Sequence, residues 1–237
     1  MLSVCIIGNG RMGHTVADEI AASDDLTLAG MVEMANCEAD LPEADIIIDF
    51  SHPNNIRAVC ERAVKCGTAL VLGTTGLGEE HQQMINEAAK AAPVVQSANF
   101  STGVAIVERL LQEMRTVSHL FDIEMTEAHH RYKKDAPSGT AKLLLNAIDP
   151  NNERGRVYGR EGIGERKGEI GVHAIRGGTV AGDHTVLFLG EDETIEIKHS
   201  AASRRIFAAG ALTAARFAAT QQPGRYNMQD VLWGEKK

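Results

Sequence analysis

The run Glu127-Ala128-His129-His130-Arg131-Tyr132-Lys133-Lys134-Asp135-Ala136-Pro137-Ser138-Gly139-Thr140-Ala141 places two histidines and a cluster of cations ahead of a Ser-Gly-Thr turn. A histidine donates a proton near neutral pH, and a lysine does so when burial or neighbouring cations lower its pKa. His129, His130 and Lys133 are therefore the candidate proton-handling groups. Neighbours in extended chain point to opposite faces. One histidine is expected to face a cleft, the other a flank or a substrate. Ser138-Gly139-Thr140 follows a proline and opens a helix. Its backbone N–H groups, with the Thr140 hydroxyl, make a nest for a carboxylate. This set of residues suits holding an anion and protonating it.

A second set lies at the N-terminus. Gly8-Asn9-Gly10-Arg11-Met12-Gly13 follows an apolar run and precedes a helical pattern, the context that a G-x-G-x-x-G dinucleotide loop requires. The first glycine permits a tight turn, the second a close approach of pyrophosphate to backbone, the third close packing of helix on strand. Glu33 lies twenty positions after Gly13, at the end of the next apolar run. A carboxylate there accepts hydrogen bonds from the adenosine ribose hydroxyls. It also repels a 2′-phosphate, and the next residues, Met34, Ala35 and Asn36, bring no cation. NADH is the expected cofactor and NADPH a possible one, since Arg11 and His14 are cations within reach of the adenosine side.

The elements that must position these groups follow from periodicity. Strands are expected at Leu2–Ile7, Leu26–Val32, Ala44–Phe50, Ala69–Leu72 and Pro93–Gln96, each apolar on both faces. Helices are expected at Met12–Ala22, from Ser51-His52-Pro53 to Cys66, and at Glu79–Ala92. Alternating strands and helices make a parallel sheet covered by helices. Ligands in such sheets sit beyond the carboxyl ends of the strands. Phe50-Ser51, Gly73-Thr74-Thr75-Gly76 and Asn99–Ser101 fall there with the glycine loop. The character changes after residue 102. A helix at Thr102–Val117, a strand at Phe121–Ala128 and a helix at Ser138–Ile148 lead to strands at Glu169–Arg176, Asp183–Leu189 and Thr194–His199. Several of these alternate apolar with polar, which favours a mixed or antiparallel sheet. An alanine-rich helix, Ile206–Ala219, and a short amphipathic piece, Met228–Trp233, close the chain. The fold class is therefore α/β, a parallel-sheet domain plus an α+β domain with a mixed sheet.

Composition narrows the function classes. The 237 residues are 43% hydrophobic and 24% charged, with a formal net charge of −8. That is ordinary for a globular chain and argues against nucleic-acid binding, which needs a basic face. No apolar run reaches a membrane span, and no signal peptide is expected. Cys5, Cys37, Cys60 and Cys66 form no C-x-x-C pair and no zinc spacing. Free thiols in a reducing cytoplasm and no metal are expected. His52 is divided between lining the cleft and a structural role. His81 is expected to be solvated, His173, His184 and His199 to serve packing or an interface, and Trp233 to anchor the tail.

The signature from Glu127 to Ala141 resembles that of the 4-hydroxy-tetrahydrodipicolinate reductase (dihydrodipicolinate reductase) family. Supporting matches are Gly10-Arg11-Met12-Gly13, Asp49-Phe50-Ser51, Gly73-Thr74-Thr75-Gly76, Ala98-Asn99-Phe100-Ser101, Arg160-Glu161-Gly162, Gly182-Asp183-His184-Thr185 and Ser203-Arg204. The resemblance implies a Rossmann-type dinucleotide-binding domain over 1–102, to which 204–237 returns. It implies a substrate-binding and oligomerisation domain over 103–203, and a homotetramer. The implied reaction is NAD(P)H-dependent reduction of a small cyclic dicarboxylate to tetrahydrodipicolinate, in diaminopimelate and lysine biosynthesis. Position by position, His129 and Lys133 match catalytic proton donors, and His130, Gly139 and Thr140 match substrate contacts. Gly8, Asn9, Gly10, Arg11, Met12, Glu33, Gly73, Thr74, Thr75, Ala98, Asn99, Phe100 and Ser101 match the cofactor site, with Arg204 and Phe207 from the returning segment. The chain departs from the pattern in a glycine loop one residue shorter than in many members, in Met34 where some carry a basic residue, and in a short Met34–Asp40 connection. Two other readings compete: another two-domain NAD(P)-dependent dehydrogenase of a small dicarboxylate, and a non-catalytic dinucleotide sensor.

Overall fold

The computed structural model describes residues 1–35 and 38–234; Asn36 and Cys37 lie outside the described residues. Contacts divide the chain into two compact units, residues 1–102 with 204–237, and residues 103–203.

The first unit is built on a parallel sheet of β1 (Leu2–Ile7), β2 (Leu26–Val32), β3 (Ile46–Asp49), β4 (Ala69–Leu72), β5 (Pro93–Gln96) and β11 (Gly224–Tyr226), in the order β11-β5-β4-β3-β1-β2. Alternation along the strands sends Cys5, Ile7, Ile47, Leu70, Leu72 and Val94 into one core with α2 (Ile56–Cys66) and α3 (Glu79–Ala88). The intervening Ile6, Ile46, Ile48 and Val71 are also fully buried. On that side α6 (Arg205–Ala218) contacts β3, β4 and β5 and packs on α1 (Arg11–Ala21). The alanines of α6 have a clear purpose. A Cβ on its Gly210 would lie 1.7 Å from the Phe100 carbonyl oxygen, so only small residues let this helix sit so close.

Some expected elements are corrected. β2 is not apolar on both faces: as the edge strand it exposes Thr27, Leu28 and Ala29. Pro53–Asn55 forms a 3-10 turn before α2 starts. α3 stops at Ala88 rather than Ala92, because tight turns from Ala88 lead directly into β5. β11 was not expected at all; its three residues carry no hydrophobic period. α7 (Met228–Trp233) follows it, with Trp233 40% exposed at its end.

The second unit has a mixed sheet of β6 (Asp122–His129), β7 (Arg156–Tyr158), β8 (Ile170–Arg176), β9 (Asp183–Leu189) and β10 (Thr194–Ser200), ordered β10-β9-β6-β8-β7. β6, β7 and β8 pair in parallel, while β9 lies antiparallel to both of its neighbours, β6 and β10. α4 (Thr102–Met114) and α5 (Gly139–Ile148) cover one face through Val104, Val107, Leu111, Leu144 and Leu145, packed on Ile123, Met125, Val186 and Phe188. α4 ends three residues before Val117 and continues as a 3-10 segment, Arg115–Leu120. The short edge strand β7 was also unexpected. Most telling is β6, whose buried positions run Ile123, Met125, Glu127, His129. The same face that starts as hydrophobic core ends as a pair of ionisable groups.

Among the described residues, no helix is long and apolar enough to cross a membrane. Cys5 and Cys60 are buried thiols, pushed up by burial to about 11 and about 12, and Cys66 is exposed; all three are unpaired.

Candidate active site

In the first unit the loops leaving β1, β2, β3, β4 and β5 share the carboxyl edge of the sheet. Gly8 takes φ +109°, the left-handed region that favours glycine. A Cβ on Gly13 would lie 1.9 Å from the Gly8 carbonyl oxygen, so the third glycine lets α1 close onto the loop. Around Gly10, by contrast, a Cβ would meet nothing within 4 Å. Gly10 is the N-cap of α1, with no side-chain cap and no acidic residue in the first turn. The helix start therefore keeps N–H groups and a positive dipole end for an anion. Burial, and then the nearby positive charge of Arg11, lowers the Arg204 pKa. Two mutually repelling guanidinium groups beside this loop favour an anionic ligand. Phe207 is half-buried in the first turn of α6. Glu33 and Met34 are exposed at the end of β2. These features fit a dinucleotide.

A buried polar chain braces this edge. Asn55 donates to the Glu33 carbonyl (3.1 Å) and to Ser51 Oγ (2.9 Å), and accepts from the Ala35 N–H (3.0 Å). Ser51 donates its hydroxyl to Asp49 and its N–H to Thr74 Oγ1 (2.8 Å). Burial pushes the Asp49 carboxyl up to about 6 against the hydrogen bonds from Ser51 and Thr74. The Phe50 ring stands edge-on to Phe100 at 5.6 Å, and it leaves no room for a Cβ on Gly73. Asn99 Oδ1 takes the Ser101 N–H (2.8 Å), tightening the Ala98–Ser101 turn. Asn55 is absent from the sequence reading, and Asp49 stands there only within the Asp49-Phe50-Ser51 match, since nothing in the sequence marks a polar residue as buried. His52 caps the turn before α2 by accepting from the Asn54 N–H (3.2 Å). His81 is not simply solvated: its Nδ1 accepts from the Gly78 N–H (3.2 Å) at the start of α3.

In the second unit His129 is buried and His130 half-buried, as alternation along β6 requires. His129 Nδ1 lies 2.6 Å from Glu127 Oε2. Arg176, the β8 register partner of His129, grips Glu127 with both terminal nitrogens (2.8 and 2.7 Å). Burial opposes the Glu127 charge, but Arg176, His129 and the Ser138 N–H (3.0 Å) hold its carboxyl below the usual range. For His129, burial is the largest influence and lowers the imidazole, against the opposing pull of Glu127. The ring stands edge-on to His184 at 5.1 Å. Burial, and then the charge of His129, push His184 down to about 4. His184 Nε2 meets Ser138 Oγ (3.0 Å), and that hydroxyl oxygen also accepts from the Ala141 N–H (3.0 Å) as the cap of α5. A Cβ on Gly139 would meet nothing within 4 Å, so the first turn of α5 is open to a ligand. Lys133 Nζ pairs with Asp135 Oδ1 at 2.9 Å.

Glu127 thus ties His129 to Ser138, the cap of the helix that Gly139 and Thr140 open. Sequence reasoning missed Arg176 and the part His184 plays. Arg176 lies forty-nine positions from Glu127 and meets it only through strand register. His184 belongs to the Gly182–Thr185 match, but the sequence points only to packing or an interface for it. His173 does bond a charged neighbour, Glu124 Oε2, at 2.7 Å. Among the described residues no group of three His, Cys, Asp or Glu side chains is placed to hold a metal.

Comparison with known proteins agrees over the whole length. Residues 2–100 match the family model for the N-terminus of dihydrodipicolinate reductase, and residues 103–232 match the model for its C-terminus. A 4-hydroxy-tetrahydrodipicolinate reductase from Methanoregula boonei is 43% identical, with 100% of both chains covered. One from Rubrobacter xylanophilus is 48% identical, with 98% of each covered. A dipicolinate-bound dihydrodipicolinate reductase from Paenisporosarcina sp. TG-14 superposes with a TM-score of 0.75 at 20% identity, covering 96% of this chain and 97% of its own, and shares the fold. The chain belongs to the dihydrodipicolinate reductase family.

Proposed function

We propose that this protein reduces 4-hydroxy-tetrahydrodipicolinate, or its dehydrated ring dihydrodipicolinate, to tetrahydrodipicolinate with NAD(P)H, within diaminopimelate and lysine biosynthesis. Family membership over the full chain carries this reading. The first unit is the dinucleotide-binding part: Gly8–Met12, Glu33, Gly73–Thr75, Ala98–Ser101, Arg204 and Phe207 hold the cofactor. The second unit is the substrate-binding part and the one through which four copies assemble, in the cytoplasm.

A bound reduced nicotinamide supplies hydride. The chain's own residues manage the anion and the proton. Gly139 and Thr140, at the dipole end of α5, hold a substrate carboxylate, and His130 supplies a further substrate contact. Lys133 and His129 supply and hold the proton that quenches charge developing on the ring. Lys133 is paired with Asp135, and a doubly anionic substrate competes for that ammonium. Glu33 and the absence of a cation at Met34 favour NADH.

The test follows loss of nicotinamide absorbance with this substrate and with other small dicarboxylates. Turnover selective for the cyclic imine supports the reading. Turnover of a different dicarboxylate, or tight NADH binding with no turnover on any of them, overturns it.

A further inference from the structure

We propose that Glu127 is a positioning residue: it fixes which ring nitrogen of His129 carries the proton, and it locks that ring to the anion-holding turn of α5. The inference deepens the reading in which His129 acts in the reaction, and rests on it for its kinetic consequence alone.

The geometry leaves little freedom. Glu127 is fully buried, at 0% exposure. An ionised carboxylate accepts hydrogen bonds and donates none. Oε1 accepts from the Ser138 N–H and from Arg176 Nη2, at 3.0 and 2.7 Å. Oε2 accepts from Arg176 Nη1 at 2.8 Å and faces His129 Nδ1 at 2.6 Å. Two carboxylate oxygens thus carry four contacts, three of them with groups that only donate. The fourth, His129 Nδ1, must then donate as well, so the proton of the neutral ring sits on Nδ1. Nε2 is left as the nitrogen that can exchange a proton with an outside partner. The space beside Nε2 is kept by Gly182, where a Cβ would come within 3.0 Å of that nitrogen. The lowered His129 pKa agrees with a neutral ring at rest.

Strand geometry makes the contact obligatory. Glu127 and His129 are two residues apart on one face of β6, and Arg176 enters from the paired position on β8. The same carboxylate holds the Ser138 N–H, and the Ser138 hydroxyl bonds the His184 ring that stands against His129. Any shift of Glu127 therefore moves the imidazole and the start of α5 together. A purely structural ion pair with Arg176 would not require the imidazole to sit in either tautomer.

The test combines nitrogen NMR of the histidine rings with steady-state kinetics. In the unaltered protein at neutral pH, His129 should show a protonated Nδ1 and a bare Nε2; the opposite tautomer overturns the proposal without any variant. Glu127→Gln places an amide that can donate towards Nδ1. It should shift the ring towards the Nε2–H form and lower kcat at least about tenfold, with KM changed much less. Glu127→Asp keeps an ionised acceptor and should retain the Nδ1–H form and more of the activity than Glu127→Gln. If Glu127→Gln does not fold, the unaltered protein and Glu127→Asp still decide the tautomer. A folded Glu127→Gln protein with the native ring signature and native kcat overturns the proposal. Native turnover in His129→Ala would instead remove the catalytic reading of His129 and leave the tautomer assignment standing.

Discussion

His129 and Lys133 reach their positions by different means, and their losses should differ in kind. His129 is 8% exposed and wedged between Glu127 and His184. Lys133 sits on the turn beyond β6 with one carboxylate partner, Asp135. Replacing either by alanine should cut kcat by at least about tenfold, the range for loss of a general acid. His129→Ala should also lower thermal stability, since it leaves a cavity and an unpaired site on buried Glu127, whereas Lys133→Ala should not. Near-native turnover in both variants would remove the assignment. Cofactor choice also belongs to single side chains. Exposed Glu33 and Met34 should give a higher kcat/KM with NADH than with NADPH, and Met34→Arg should narrow that ratio; a clear NADPH preference in the unaltered protein refutes it. The proton-handling residues were legible because they sit within four positions of one another. Arg176 and His184 were not, because their contacts with Glu127 and Ser138 span more than forty positions and depend on which strand lies beside which.

The glycine loop shows how one element divides its work between folding and binding. Gly13 has the Gly8 carbonyl oxygen where its Cβ would go, while Gly10 has open space and an extended backbone, φ −93° and ψ −173°. Gly13→Ala should therefore cost stability, by about 2 kcal/mol or more as an overpacked contact that backbone must yield to. Gly10→Ala should leave the thermal midpoint close to native yet weaken NADH binding at least about tenfold, by placing a methyl where the pyrophosphate approaches. Parallel thermal melts and NADH titrations separate the two; equal loss of stability in both variants would show that the loop is only a tight turn. Elements of this kind were readable because long apolar runs and glycine spacing are local signals. β7 and β11 were not, since strands of three residues such as Gly224–Tyr226 are specified by the neighbour they pair with, here β5. The early end of α3 was hidden for a similar reason: Lys90, Ala91 and Ala92 are acceptable helix formers, and the need to enter β5 at Pro93 overrides them.

Across the whole molecule the two units carry buried titratable groups of opposite sense, so pH should act on them in opposite directions. In the first unit Asp49 is raised from 3.8 to about 6 by burial. The folded unit then binds this proton more tightly than the unfolded chain. The stability linked to it is full below pH 4 and is lost as pH rises through about 6, a swing of about 3 kcal/mol. In the second unit His184 is lowered from 6.5 to about 4, and burial lowers His129 and His199 as well. Stability linked to His184 is full above pH 6.5 and is lost as pH falls through about 4, again by about 3 kcal/mol. The lowered carboxylates Asp25 and Asp45 in the first unit, and Glu124, Glu127 and Asp135 in the second, act only at the acid end of this window or below it. Moving from pH 7.5 to pH 5 should therefore raise hydrogen-exchange protection in β1, β3 and β4 and lower it in β6, β8 and β9, after correction for intrinsic exchange rates. Asp49→Asn, which keeps the oxygen that accepts from Ser51, should abolish the change in the first unit and leave that in the second. Protection that moves in the same direction in both units, or an Asp49→Asn protein whose first unit still responds, would show that Asp49 does not titrate in this window.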